Sequence, residues 1–180
     1  DMIRFSLTVP TCGRPSLYQT LHGAWTEGLT REDEVIVVGD GPQPEALRIV
    51  KFFEDRLNIR YVETQKTGCV GMAQRNYGMT LATGTHLTFM DDDDVYTPNA
   101  FRTIRMIVSK HPERIHIFRI RAVAKRLACW DVIWKDPEVK MSNVGSPTIV
   151  VPNVPEKLGR WPNEYEGDFR FIDATVKLFE

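Results

Sequence analysis

Four consecutive aspartates, Asp91, Asp92, Asp93 and Asp94, are the part of the sequence that points most directly to chemistry. They follow residues 86–90, an apolar segment typical of a buried strand, so we expect them at the carboxyl edge of a sheet. Ligands bind open α/β sheets at that edge. Adjacent carboxylates repel one another, and a hard cation relieves the repulsion by taking their oxygens as ligands. Asp91 and Asp93 lie on the same side of an extended segment, so both can reach one cation. The tetrad therefore predicts a site for a metal or a metal–nucleotide complex, with a solvated acidic turn as the alternative.

Two other segments hold candidate ligand-binding residues. Residues 67–71 contain two glycines before a predicted helix, where backbone amides can approach an anion, and Arg75 lies one helical turn further on. A loop that only turns the chain is the alternative. Asp40 follows the second predicted strand, where its carboxylate could accept a hydrogen bond from a base or a sugar hydroxyl, or could cap a loop.

The elements that must position these residues alternate between strands and helices. Strands are predicted over residues 3–9, 34–38, 59–62, 86–90 and 115–120, and Pro10 is expected to end the first. Helices are predicted over residues 15–25, 44–56, 70–82, 97–108 and 168–179, with Thr97 as N-cap before Pro98. Such alternation is typical of an α/β fold with a mainly parallel central sheet and helices on both faces. Residues 121–163 are expected to form an irregular excursion, with possible strands at 130–134 and 148–151, that returns to the sheet edge.

Composition excludes several classes of protein. The chain has 180 residues and is 42% hydrophobic, so it is long enough for one domain with its own core. It is 26% charged with a net charge of −1, which argues against a protein that binds polyanions through its overall charge. No apolar run approaches the ~18 residues of a membrane span, and no signal-peptide pattern opens the chain. Three cysteines without CxxC spacing predict reduced, buried or half-buried thiols, and the four histidines share no zinc-site spacing. We therefore expect a cytoplasmic protein whose natural start is Met2, without a transmembrane segment.

Four segments together resemble a known family. Residues 8–15 (TVPTCGRP), 34–41 (EVIVVGDG), 73–78 (AQRNYG) and 87–94 (LTFMDDDD) have the order and spacing of GT-A glycosyltransferases of family 2. The resemblance extends over residues 3–108 and again near residues 166–172. It implies a single GT-A domain over residues 1–180, in which residues 3–108 bind a nucleotide sugar and residues 109–180 form the acceptor side.

The resemblance also implies roles for individual residues. Pro10 and Thr11 would border the nucleotide, Asp40 would contact its base, and Arg75 would lie near the base and diphosphate. Asp91 or Asp92 would hold the ribose, Asp93 would hold Mg²⁺ or Mn²⁺ and Asp168 would be the catalytic base. UDP or dTDP sugars are favoured because Asp40 can accept the ring N3–H of uracil or thymine.

The implied activity is that of an inverting, metal-dependent transferase of EC 2.4 type, which moves a sugar from a nucleoside diphosphate to an acceptor hydroxyl. Three positions depart from the family pattern. Gly167 replaces a glutamate before Asp168, Gly39 replaces the first of two aspartates, and no histidine follows His116. The chain also ends soon after Asp168, without the C-terminal extension of many relatives.

The acceptor is the least determined partner. A basic run just after the expected donor site favours an anionic acceptor such as nucleic acid, a lipid phosphate or a glycan, or else forms a solvated strand and turn; it comprises Arg114, Arg119, Arg121, Lys125 and Arg126. Trp130, Trp134 and Trp161 could stack on sugars or belong to the core. The alternative functions are a nucleotidyltransferase, for which the loop of residues 10–15 has no lysine, and a non-catalytic nucleotide-sugar-binding module.

Overall fold

A computed structural model describes residues 2–68, 71–120, 138–141 and 143–180. The strands are β1 (Phe5–Thr11), β2 (Glu34–Asp40), β3 (Ile59–Thr64), β4 (His86–Phe89), β5 (His116–Ile117) and β6 (Ile149–Pro152). The helices are α1 (Leu17–Thr26), α2 (Pro44–Phe53), α3 (Met72–Leu81), α4 (Ala100–Val108) and α5 (Gly167–Phe179), with short 3₁₀ turns at Ser146–Thr148 and Pro155–Lys157.

The strands form one mixed sheet in the order β3-β2-β1-β4-β6-β5. Strands β1 to β4 are parallel, whereas β6 runs antiparallel between β4 and β5. This arrangement confirms the predicted α/β class with a mainly parallel sheet.

Helices cover both faces of the sheet, and each face contributes buried apolar residues to a core cluster. Phe5, Leu7 and Val9 of β1 pack with α1, α2 and α4 in one core cluster. Leu87 and Phe89 of β4 pack in a second cluster with α3, α5 and β6. The covering of both faces leaves the strand ends as the exposed edges of the sheet.

The carboxyl ends of β1, β2 and β4 lie side by side. The register pairs Thr11 with Gly39 across β1 and β2, and Thr8 with Phe89 across β1 and β4. Asp40 and the aspartate tetrad, which begins two residues after Phe89, therefore lie at one edge of the sheet.

Strand β1 continues through Pro10, so the prediction that Pro10 ends it was wrong. Pro10 pairs in register with Val38 of β2. Thr8 accepts a hydrogen bond from Met90 N–H, so the backbone polar groups of alternate residues, Pro10 included, face the β4 side. Pairing with β4 has already ended there, and the missing N–H of proline therefore breaks no ladder bond.

The predicted helix start at Thr97 was also wrong. Helix α4 begins at Ala100, after Asn99 in a left-handed conformation with φ 59°. Residues 97–99 form a turn instead, in which Ala100 N–H donates to Thr97 C=O. Glu27 holds this turn by accepting from Asn99 N–H at 2.7 Å, a tertiary contact that local helix propensity does not reveal.

The returning strand lies inside the sheet and not at its edge as expected, since β6 pairs with both β4 and β5. The possible strand at residues 130–134 lies outside the described residues. No helix in the described part of the chain combines the length and the apolar character that crossing a membrane requires.

Candidate active site

A cavity of about 260 Å³ opens at the carboxyl edge of the sheet. Its lining includes all seven residues that the sequence assigned to the donor and the metal, namely Pro10, Thr11, Asp40, Arg75, Asp91, Asp92 and Asp93. Cys12, Arg14, Gly71 and Gln74 complete the lining. Segments that are distant in sequence thus meet around one space, with Asp168 beside it.

Arg75 is the buried cation of the cavity. Its guanidinium forms an ion pair with Asp91 and donates to the Ser146 hydroxyl at 3.0 Å. Ser146 in turn donates to Oδ1 of Asp91 at 3.1 Å. Because these three groups bind one another, Arg75 is fixed on α3 with a positive charge at the cavity wall.

Asp92 points into the protein and not into open solvent. Its carboxylate accepts from the Thr11 hydroxyl at 2.7 Å and from the Arg14 guanidinium at 3.2 Å. Burial raises the pKa of Asp92, against the opposing effect of these two hydrogen bonds. Asp92 thus ties the tetrad to the end of β1.

Asp91, Asp93 and Asp94 form the part of the tetrad that could hold a cation. One carboxylate oxygen from each lies within 4.8 Å of the others. Asp94 is exposed, but desolvation of its carboxyl and the negative charges of Asp91 and Asp93 raise its pKa to about 6. Three clustered carboxylates are the hard oxygen ligands that Mg²⁺ and Mn²⁺ prefer, so the donor set fits the implied metal.

Thr20 of α1 forms a hydrogen bond with the backbone of this cluster. Its hydroxyl donates to the backbone C=O of Asp94 at 2.6 Å. The bond fixes the turn that gathers the three carboxylates.

Asp40 is bound to the loop between β3 and α3 and to α3 itself. The carboxylate accepts from Thr67 N–H at 2.6 Å, from Gly68 N–H at 2.9 Å and from the Gln74 side-chain amide at 3.0 Å. Burial alone would raise the pKa of Asp40, but these hydrogen bonds outweigh it and hold the pKa below its ordinary value. The loop-capping alternative thus describes Asp40 here, while its carboxylate still lines the cavity.

Asp168 lies in the first turn of α5, close to the tetrad. Its carboxyl accepts a hydrogen bond from the backbone of Ser146, and its Oδ1 has no partner among the described residues. Burial raises the pKa of Asp168, and the Asp91 charge adds to this while Arg75 opposes it. A partly buried carboxylate with a raised pKa and a free oxygen has the properties of a general base.

The other acidic residues near Asp168 differ from it in their surroundings. Asp173 pairs with Lys177 at 2.8 Å on an exposed part of α5. Glu166 is half-buried at the N-cap of α5, and Glu164 is exposed.

Both glycines that depart from the family pattern occupy crowded positions. A Cβ atom at Gly39 would lie 2.5 Å from the Tyr61 hydroxyl oxygen. A Cβ atom at Gly167 would lie 2.6 Å from Sδ of Met72. A larger side chain at either position would displace these neighbours.

Four residues of the site were not singled out from the sequence, namely Arg14, Thr20, Gln74 and Ser146. Arg14 lies within the quoted segment 8–15, and its single charge among small residues was a usable signal. Gln74 likewise lies within the quoted segment 73–78, whereas Thr20 and Ser146 carry no comparable signal because their contacts depend on tertiary structure. Cys12 is exposed at the cavity, contrary to the expectation of a buried or half-buried thiol.

Trp161 belongs to the core, which resolves one of the two alternatives given for it. It is 2% exposed and stacks on Phe171 with ring centroids 4.3 Å apart. Asn76 holds its backbone through hydrogen bonds of 2.8 Å and 3.0 Å. Trp130 and Trp134 lie outside the described residues.

A second cavity of about 260 Å³ adjoins the tetrad at Asp94. Its walls are mostly apolar, and Arg119 lies on its lining. Of the basic run, Arg114 is exposed and pairs with Glu113 at 3.4 Å. Arg121, Lys125 and Arg126 lie outside the described residues.

The chain is similar to several known proteins. Hyaluronan synthase from Pasteurella multocida is 31% identical over 97 residues, which are 53% of this chain and 10% of that protein. The structure of Staphylococcus aureus TarS 1–349 in complex with UDP-GlcNAc superposes with a TM-score of 0.73 at 20% identity, covering 98% of this chain and 53% of that one. A mannosyltransferase from Pyrobaculum calidifontis in complex with GDP-Man and Mn²⁺ gives a TM-score of 0.72 at 16% identity, covering 99% and 52%.

The chain spans only a tenth to a quarter of the length of such curated relatives. Its fold is that of the GT-A glycosyltransferases. The family model "Glycosyl transferase family 2" matches residues 6–132, which is more than two thirds of the chain. The chain therefore belongs to glycosyl transferase family 2.

Proposed function

We propose that this chain carries the catalytic site of an inverting, metal-dependent glycosyltransferase. It would move a sugar from a nucleoside diphosphate to an acceptor hydroxyl. The observation that carries the proposal is the cavity that brings together Asp40, Arg75 and the first three aspartates of the tetrad, with a partly buried Asp168 beside it. One carboxylate cluster for a cation and one separate carboxylate for a proton are what this chemistry requires.

In the proposed reaction the acceptor oxygen attacks the anomeric carbon as the bond to the diphosphate breaks. Asp168 takes the hydroxyl proton, and Arg75 stabilises the negative charge that gathers on the diphosphate. A cation held by Asp91, Asp93 and Asp94 would supply further electrostatic stabilisation of the leaving group. Asp168 must be ionised to act, so its raised pKa sets the lower pH limit of the reaction.

We propose a uracil or thymine nucleotide as the donor. Asp40 supports this choice because Oδ2, which accepts one hydrogen bond, from Gly68 N–H, can accept a second from the ring N3–H. The TarS relative binds UDP-GlcNAc and the mannosyltransferase binds GDP-Man, so the base is a point of difference within the fold. UDP or dTDP should compete with donor better than ADP does, and a preference for ADP would refute the assignment.

We propose that the acceptor binds in the cavity beside Asp94 and that Arg119 attracts an anionic group on it. A nucleic acid, a lipid phosphate and a charged glycan share this chemistry. Arg119→Gln should raise the acceptor KM and weaken the salt dependence of transfer without changing donor hydrolysis. Transfer by the wild type that is independent of salt would contradict the proposal.

The decisive experiment compares Asp168→Asn with Glu166→Gln. Asp168→Asn should bind donor and cation normally but transfer sugar at least a hundredfold more slowly, an order-of-magnitude estimate for losing a general base. Glu166→Gln should cost far less. The reverse ranking would make Glu166 the base.

The binding-module alternative predicts a different result in the same assay. A competent transferase slowly releases sugar to water, whereas a binding module leaves the donor intact. Donor hydrolysis by the wild type that falls in Asp168→Asn would therefore support an enzyme. Intact donor in every variant would support the module.

A further inference from the structure

Two arginines neutralise the aspartate tetrad in different ways. Arg75 binds Asp91 from a buried position on α3, and its side chain is only 4% exposed. Arg14 lies in the loop after β1, and its side chain is 51% exposed. A single guanidinium nitrogen of Arg14, Nη1, contacts both Asp92 Oδ1 at 3.2 Å and Asp93 Oδ2 at 2.6 Å.

The two contacts of Arg14 differ in permanence. Asp92 is buried and is also held by the Thr11 hydroxyl at 2.7 Å, so it is a fixed anchor. Asp93 is exposed and belongs to the carboxylate cluster that fits a divalent cation. Arg14 and a cation therefore compete for the carboxylate of Asp93.

We infer that Arg14 forms an ion pair with Asp93 until a cation binds there, and that Arg14 then binds the donor diphosphate. The inference rests on the proposed function. When a cation takes Asp93, the anchor at Asp92 keeps the guanidinium at the cavity, where Arg14 already forms part of the lining. A guanidinium is well suited to the second role because its planar set of donors matches phosphate oxygens.

The exchange has a simple electrostatic basis. Four adjacent carboxylates without counter-charge repel one another, and Arg14 with Arg75 relieves this repulsion before any ligand arrives. A divalent cation carries twice the charge of a guanidinium and therefore displaces Arg14 from Asp93. The guanidinium of Arg14 is then available to an anionic diphosphate. Arg14 thus opposes the cation alone and favours the nucleotide.

The test measures two ligands separately in Arg14→Met and Arg14→Lys. The first probe is Mn²⁺ alone, followed by electron paramagnetic resonance of the free ion. Arg14→Met should bind Mn²⁺ about two- to fivefold more tightly than wild type, the scale of a lost exposed ion pair. The second probe is UDP at saturating Mn²⁺, followed by calorimetry, and its binding should weaken about tenfold or more in Arg14→Met.

The opposite signs separate this role from a merely structural one. If Arg14 had only a structural role, Arg14→Met would weaken the binding of both ligands. If Arg14 had no role, the binding of both ligands would stay unchanged. Either result overturns the inference. Arg14→Lys should recover part of both effects because it restores the charge without the planar donors. Arg48→Met is the matched control, since Arg48 is an exposed arginine of α2 that pairs with Glu45 at 2.7 Å and does not line the cavity.

The two probes also distinguish this inference from the proposed function. Wild-type protein that binds Mn²⁺ but no nucleoside diphosphate would refute the proposed function and the diphosphate role, while the Mn²⁺ measurement still decides the competition at Asp93. Wild-type protein that binds no Mn²⁺ overturns the competition. Nucleotide binding unchanged in Arg14→Met overturns the diphosphate role alone.

Discussion

The Ser146 hydroxyl donates a hydrogen bond to Oδ1 of Asp91 at 3.1 Å. Its backbone also binds the carboxyl of Asp168. One residue in a short 3₁₀ turn thereby touches both the tetrad and the candidate base, although 77 positions separate Asp91 from Asp168. The turn is a physical link between the donor side and the acceptor side of the proposed site.

Ser146→Ala should weaken donor binding without removing the base. The substitution deletes the hydroxyl between Arg75 and Asp91 but keeps the backbone that binds Asp168. Calorimetry with UDP and Mn²⁺ should show a loss of about two- to tenfold, the scale of a net hydrogen bond. Ser109→Ala, which removes an exposed hydroxyl bonded to Met106 C=O, is the control and should change nothing.

The rate of sugar transfer should depend on pH through Asp168. Because the pKa of this carboxyl lies above the ordinary aspartate value, kcat/KM should begin to fall at a pH higher than an exposed aspartate would give. Below that pKa the rate should drop about tenfold per pH unit, as the ionised fraction does. The measurement is a pH–rate profile, and an acid limb that persists in Asp168→Asn would assign the titration to another group.

Removal of the cation should weaken nucleotide binding, and this effect of the cation should require Asp93. A chelator should weaken UDP binding to wild type, and Asp93→Ala should bind UDP weakly with or without Mn²⁺. Asp94→Ala should do less, because desolvation and the charges of Asp91 and Asp93 raise the pKa of Asp94 and so favour its neutral form. Equal, metal-free binding of UDP by wild type and Asp93→Ala would contradict this expectation, and Asp55→Ala serves as a distant acidic control.

Much of the fold was predictable because apolar patterning alone locates the elements. The four parallel strands and the five helices all occur where the sequence placed them, with shifts of one to three residues at most ends. The carboxyl-edge position of the tetrad followed directly from the strand before it. Family resemblance then assigned residues that the structure gathers around one cavity.

The rest depended on contacts between distant parts of the chain. The start of α4 is fixed by Glu27, and β6 is inserted between β4 and β5 by backbone pairing that no local pattern specifies. Ser146 entered the site only because its turn packs against Asp91 and Asp168. Such long-range hydrogen bonds leave no periodic signal in the sequence.

Phe171→Ala should test how tightly the core around α5 is packed. Phe171 is fully buried, stacks on Trp161 at 4.3 Å and contacts Phe89 at a ring distance of 5.7 Å. Its truncation should lower the free energy of unfolding by about 3–5 kcal/mol, measured by urea denaturation. Phe52→Ala, at a half-exposed ring, should cost much less, and equal losses would mean that the α5 core is not tightly packed.

Asp40 and Asp168 should respond in opposite directions to the same change, aspartate to asparagine. The folded-state pKa of Asp40 is lowered, so its ionised form stabilises the protein above the unfolded-state pKa, and this stability is lost as pH falls through the folded-state pKa. Asp40→Asn should therefore lower Tm at neutral pH by roughly 3–10 °C, from about 1.5–3 kcal/mol for charge-assisted hydrogen bonds. The difference from wild type should shrink under acid conditions.

The folded-state pKa of Asp168 is raised instead, so its ionisation costs stability as pH rises from the unfolded-state pKa through the folded-state pKa. Asp168→Asn should raise Tm at neutral pH, and this gain should vanish under acid conditions, where the wild-type carboxyl is protonated. Thermal denaturation of both variants across pH measures the two effects together. A fall in Tm for both variants at neutral pH would show that Asp168 is held in its ionised form by partners, and it would remove the argument that its carboxylate is free to accept a proton.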